Sequence, residues 1–144
     1  MKRLMFALLA LALSVLPANA GGELGYPTDA FPLTGASGTV ANASAAATLT
    51  ATAGHKVYIC GLVITSTGST AAAVVAPTVT GLTGGTLTFA YATVAGATLQ
   101  NPTVSHSFIP CVPASAAGTN IVVTLPALGA GNTNATVNAW GFVQ

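Results

Sequence analysis

Val57-Tyr58-Ile59-Cys60-Gly61-Leu62-Val63-Ile64 is apolar at every position except a single glycine. The run is too short for a buried helix of ordinary length, and it is rich in β-branched and aromatic residues, so it reads as a strand. Strict alternation puts Val57, Ile59 and Val63 on one side and Tyr58, Cys60, Leu62 and Ile64 on the other. A strand apolar on both sides is covered twice: once by the core, and once by a loop or by another subunit. Around it the chain is built from Thr, Val, Ala and Gly, with almost no helix signals after residue 20. Thr and Val favour strands because their branched side chains pack well on a pleated surface.

Other runs alternate more simply. Ile121, Val123 and Leu125 share a face. Leu87, Phe89 and Tyr91 share one within Thr86–Thr93. Near the end, Trp140 and Phe142 align with Thr136 and Asn138, while Val137, Ala139 and Val143 point the other way. Turn-forming clusters separate these runs: Gly35–Gly38, Ser66–Ser69, Gly81–Gly85, Ala117–Asn120 and Gly129–Asn132. The pattern predicts strands at about 38–43, 46–53, 56–65, 72–80, 85–93, 103–109, 119–125 and 134–143. The alanines of 42–49 also leave a helix start open there. The fold expected is all-β, an antiparallel β-sandwich of jelly-roll type, with an immunoglobulin-like sandwich as the alternative.

The N-terminus carries a secretory signal in three parts. Lys2 and Arg3 are basic, Leu4 to Leu16 is apolar and stops at Pro17, and Ala18-Asn19-Ala20 is a small-x-small cleavage site. The apolar run falls short of the roughly 20 residues that span a bilayer, and no later segment is continuous enough to do so, so no membrane span is expected. The expected organisation is a signal peptide at 1–20, an extended N-terminal arm at 21–37 rich in Pro and Gly, and one sandwich domain at 38–144. The product is then secreted, in the periplasm, outside the cell or attached to a surface, after cleavage near Ala20.

Charge restricts function further. After Ala20 the only charged side chains are Lys56 against Glu23 and Asp29, a formal −1. One lysine cannot neutralise several phosphates, which excludes nucleic acid as an electrostatic partner. Paired-carboxylate catalysis would have to use Glu23 and Asp29, both on the arm. A Ser-His-Asp arrangement would need Asp29 to meet His55 or His106, and no nucleophile-elbow sequence is present. No catalytic residue is assigned, and no cofactor is expected. Cys60 and Cys111 form an even pair in an exported chain and predict a disulfide. Two buried free thiols are the bland alternative. A metal site is disfavoured because His55/Cys60 and His106/Cys111 lack the short repeated spacing of zinc ligands.

Two modes of action remain. The first is assembly: a near-neutral chain with a doubly apolar strand must cover that strand, and a closed homo-oligomer such as a trimer does so. The second is a carbohydrate- or surface-binding module that stacks sugars on an aromatic ring, with Trp140 as the candidate.

Thr48-Leu49-Thr50-Ala51-Thr52-Ala53-Gly54, then Val57-Tyr58-Ile59 and Gly61-Leu62-Val63-Ile64-Thr65, resembles a group of small Ala/Thr/Gly-rich phage-associated proteins. The closing run Ile121-Val122-Val123-Thr124-Leu125-Pro126-Ala127 and Gly129-Ala130-Gly131-Asn132-Thr133-Asn134-Ala135-Thr136-Val137 resembles the same group. The likeness covers most of 38–142. It implies a place on a virion surface, as a decoration or fibre-associated protein.

Overall fold

A computed structural model describes residues 26–144. The signal sequence and the first residues of the expected arm lie outside the described residues. The described chain is all-β, without helix. Its ten strands are β1 (Phe31–Ala36), β2 (Ala45–Leu49), β3 (Val57–Thr67), β4 (Ala73–Val75), β5 (Thr78–Thr80), β6 (Leu87–Thr88), β7 (Tyr91–Thr93), β8 (Val104–Pro113), β9 (Ile121–Leu125) and β10 (Asn134–Val143).

Two four-stranded antiparallel sheets face each other as a sandwich. The first has the order β1-β10-β3-β8, the second β2-β9-β5-β6, and β4 and β7 form a small extra ribbon. The inner face of the first sheet contributes Val57, Ile59, Leu62, Ile64, Val137 and Ala139. The second contributes Ala45, Ala47, Leu49, Val79, Ile121, Val123 and Leu125, all fully buried. Each large aliphatic among them stabilises the fold by roughly 1.5–3 kcal/mol. Alternation in β2 and β9 is clean, as their sequences predict.

The phase of β3 is not the one strict alternation predicts. Trp140 pairs with Gly61 but Gly141 pairs with Ile59, so Cys60 is an extra residue in β3. This bulge turns the strand by one position. Val57 and Ile59 face inward before it, and Leu62 and Ile64 face inward after it, leaving Val63 half-buried on the outer side. The grouping of Ile59 with Val63 is therefore corrected.

Other differences have local causes. Phe31–Ala36, within the expected arm, is extended and pairs along β10 as an edge strand. Pro32 is tolerated there because an edge strand has one unpaired side. Residues 38–43 do not form a strand: Val40 makes one bridge to Ala135, and Asn42 is left-handed at φ 57°. The predicted strand 72–80 divides at Pro77, which has no N–H to give to a ladder. The predicted 85–93 divides as well, so Leu87 is exposed while Tyr91 is buried against β4. The strand foreseen at 103–109 instead runs on to Pro113. The turn clusters hold, and each contains a glycine with positive φ.

Candidate functional site

The candidate site lies on the outer face of the first sheet, at the end where β3 begins and β10 finishes. It is built from β3 outward. Phe142 sits opposite Tyr58 in the ladder. Their rings stack in parallel, with centroids 4.6 Å apart and 10° between planes. Tyr26, just ahead of β1, meets Phe142 edge-on at 5.3 Å. Phe142 is 5% exposed beneath these two rings, while Tyr58, Tyr26 and Trp140 are half-buried. Offset and edge-to-face pairs of this kind add about 0.5–1.5 kcal/mol each beyond their buried area.

Trp140 is one rung further along, paired with Gly61. A Cβ at Gly61 would run into the indole and come 2.9 Å from the His106 carbonyl. Only glycine lets the ring lie this close to the backbone. The Gly in an otherwise apolar strand was the sequence signal for a close approach of this kind.

The fourth wall comes from β8. Ser107 pairs with Gly61 and Val112 with Ile59, so Phe108, Ile109, Pro110 and Cys111 bulge out opposite Cys60 alone. Pro110, which follows a cis peptide bond, and Pro113 cannot donate to a ladder, and β8 is an edge of its sheet, where such a departure costs least. Cys111 bonds to Cys60 at 2.05 Å, with the two Cα atoms 4.3 Å apart. The predicted disulfide is present, and it ties the bulge to β3. Ile109, at the crest of the bulge, is 93% exposed. Together with Gln144 and Pro27 these residues line an open groove of about 620 Å³. That size falls within the roughly 300–1,000 Å³ usual for small-molecule sites.

Among the described residues no charged side chain lines the groove. Asp29 stands beside it, its two carboxylate oxygens accepting from Gln144 Nε2 at 3.0 and 3.1 Å. His55 is exposed and away from the groove lining. His106 is exposed on β8 between Phe89 and Phe108, at 5.6 and 4.7 Å between ring centroids. Among the described residues no three of His, Cys, Asp and Glu gather as metal ligands would. No helix among them is long and apolar enough to cross a membrane. The disulfide is compatible with a secreted protein.

The structure thus brings Trp140, Cys60 and Cys111, singled out separately in the sequence, to one place. Tyr58 and Phe142 were visible as alternating aromatics, but their pairing was not. Tyr26 and the 108–111 bulge were missed. The two prolines flanking Cys111 were the available signal for the bulge. Comparisons with protein-family models, with curated proteins and with solved structures found no match to this chain.

Proposed function

We propose that this chain is an exported, non-catalytic structural protein that assembles on a virion or cell surface and works by shape and contact. The observation that carries the reading is the outer face of the first sheet: an open aromatic groove with no acid or base among the described residues that line it. Acid–base and nucleophilic chemistry need positioned ionisable groups, and neither histidine is among those lining residues. The resemblance to phage-associated proteins supports the surface setting.

A jelly-roll organisation is part of the proposal. Its support is the nested pairing of the strands: β1 with β10, β2 with β9, β3 with β8 and β5 with β6. A long hairpin rolled on itself produces this order.

Self-association follows from the two edges of the first sheet. Phe31 on β1 is 67% exposed and Ile109 on β8 is 93% exposed, on opposite edges. Contact between the β8 edge of one copy and the β1 edge of the next is head-to-tail, which closes into a ring such as a trimer. Light scattering at micromolar concentration tests this. A homo-oligomer that Ile109→Asp and Phe31→Asp each disperse is the expected result. A monodisperse monomer of the unaltered chain overturns it.

A further inference from the structure

We infer that the groove between Tyr26, Tyr58, Trp140 and the Phe108–Cys111 bulge binds a neutral pyranose oligosaccharide. The inference rests on the contact reading above and names the ligand of that face.

Three observations select this chemistry. The first is the set of rings. Tyr26, Tyr58 and Trp140 each keep part of their surface open into the groove, with Phe142 fixed behind Tyr58. A pyranose presents an apolar face of C–H groups, which packs on such rings and buries area without any charge. The rings are held by the strand ladder and by the disulfide-tied bulge, so little freedom is lost on binding.

The second is the state of the polar atoms. The Tyr26 and Tyr58 hydroxyls and the Trp140 indole N–H enter none of the side-chain hydrogen bonds among the described residues, yet none is buried without a partner. They therefore face solvent at the groove. Gln144 spends its Nε2 on Asp29 and keeps its Oε1 as an acceptor. Sugar hydroxyls need this mixture of neutral donors and acceptors beside an apolar floor. A purely hydrophobic ligand would leave those polar groups without partners.

The third is charge. Among the described residues the groove lining holds no Lys, Arg or His; beside it stand the Asp29 carboxylate and Lys56, whose backbone pairs with that of Gln144. An anionic glycan or a phosphate headgroup would find no cation in the lining itself and would meet Asp29. A neutral hydroxyl-rich chain needs no cation, and its hydroxyls can donate to Asp29.

Trp140 is the chain's only tryptophan, so its emission reports on the groove directly. The full chain is titrated with cellohexaose, chitohexaose and mannohexaose, with hexagalacturonate as the anionic counterpart, and light scattering is recorded on the same samples. At least one neutral hexasaccharide should change Trp140 emission saturably, while hexagalacturonate leaves it unchanged. Tyr58→Ala should weaken that binding about tenfold, and Tyr58→Phe, which keeps the ring, by about threefold, as expected from losing a stacking contact or one hydrogen bond. Tyr26→Ala, ahead of the first strand, gives the same reading should Tyr58→Ala fail to fold. The inference is overturned if no neutral hexasaccharide acts at millimolar concentration, or if binding is unchanged in all three variants. It is equally overturned if acrylamide quenches Trp140 only after dilution to monomer, because the groove is then filled by a second copy. That last result leaves the assembly reading standing, whereas a saccharide-binding monomer overturns self-association alone.

Discussion

The two ends of β3 solve opposite problems with the same strand. At its start, Tyr58, Cys60 and Gly61 support half-buried rings whose polar atoms have no side-chain hydrogen-bond partner among the described residues. At its end, Ser66 is buried and hydrogen-bonded through its side chain. Its Oγ lies 2.8 Å from the Tyr91 hydroxyl and accepts from Asn101 Nδ2 at 2.8 Å. Asn101, also buried, accepts from the Val94 amide through Oδ1 at 2.7 Å. Asn132 donates to the Thr67 carbonyl at 3.1 Å, while its Oδ1 is buried without a partner among the described residues. Most polar groups buried in this way are paired, because an unpaired one costs about 1–3 kcal/mol. The polar end therefore serves stability: it fixes the β4–β7 ribbon and the 94–101 loop onto the sandwich. The aromatic end leaves apolar surface open, a feature that favours contact with something else over folding.

The largest expected effect falls at the aromatic end. Replacing both Cys60 and Cys111 by Ala opens a loop of 51 residues. The chain-entropy account puts that at about 4 kcal/mol. Urea unfolding of the double variant should show it, together with a red-shifted Trp140 emission as the β8 bulge separates from β3. A loss below about 1 kcal/mol would mean that the bulge holds its place without the bond.

At the polar end, Asn101→Leu removes two partners at once and leaves the Val94 N–H unpaired. A loss of about 3 kcal/mol in urea is expected, with unchanged Trp140 emission in the folded state. A shifted emission would mean that the two ends are coupled and that the contrast drawn between them is too sharp.

Gly61→Ala is intermediate. The added Cβ meets the indole and the His106 carbonyl, so about 1–3 kcal/mol is lost by overpacking. Unlike Asn101→Leu, it should move Trp140 and disturb whatever the groove binds.

Tyr91 gives a smaller effect that depends on pH. Burial raises its phenol above the ordinary value of 10.0, and the Ser66 hydrogen bond opposes part of that rise. A raised pKa in the folded state means that the unfolded chain loses this proton first. The contribution to stability is complete below pH 10 and declines as pH climbs through the folded value. Tyr91→Phe should lose about 1 kcal/mol at pH 7 with its hydrogen bond, and should flatten the decline of thermal stability above pH 10. The smallest change in folding belongs to Ile109→Ser: an exposed residue alters stability by less than about 0.5 kcal/mol, so its effect should appear in oligomer size and at the groove it lines rather than in unfolding.

Much of this was legible in the sequence. Thr- and Val-rich runs between glycine turns specify strands through local backbone preference, and nine of the ten strands fall within or overlap the predicted segments or their two halves. Near-absence of charge, an even pair of cysteines and the three-part pattern of the first twenty residues are likewise properties of composition and order. The remaining features depend on which strand meets which. Phe31–Ala36 is a strand only because β10 offers it an edge, and its Pro32 and Gly35 look like a loop when read alone. The inward turn of Leu62 and Ile64 depends on Cys60 being an extra residue against β10, and no local preference marks a bulge. Trp140, Tyr58, Tyr26 and Cys111 are far apart along the chain. Hydrogen-bonded register, set by the packing of whole sheets, brought them to one groove.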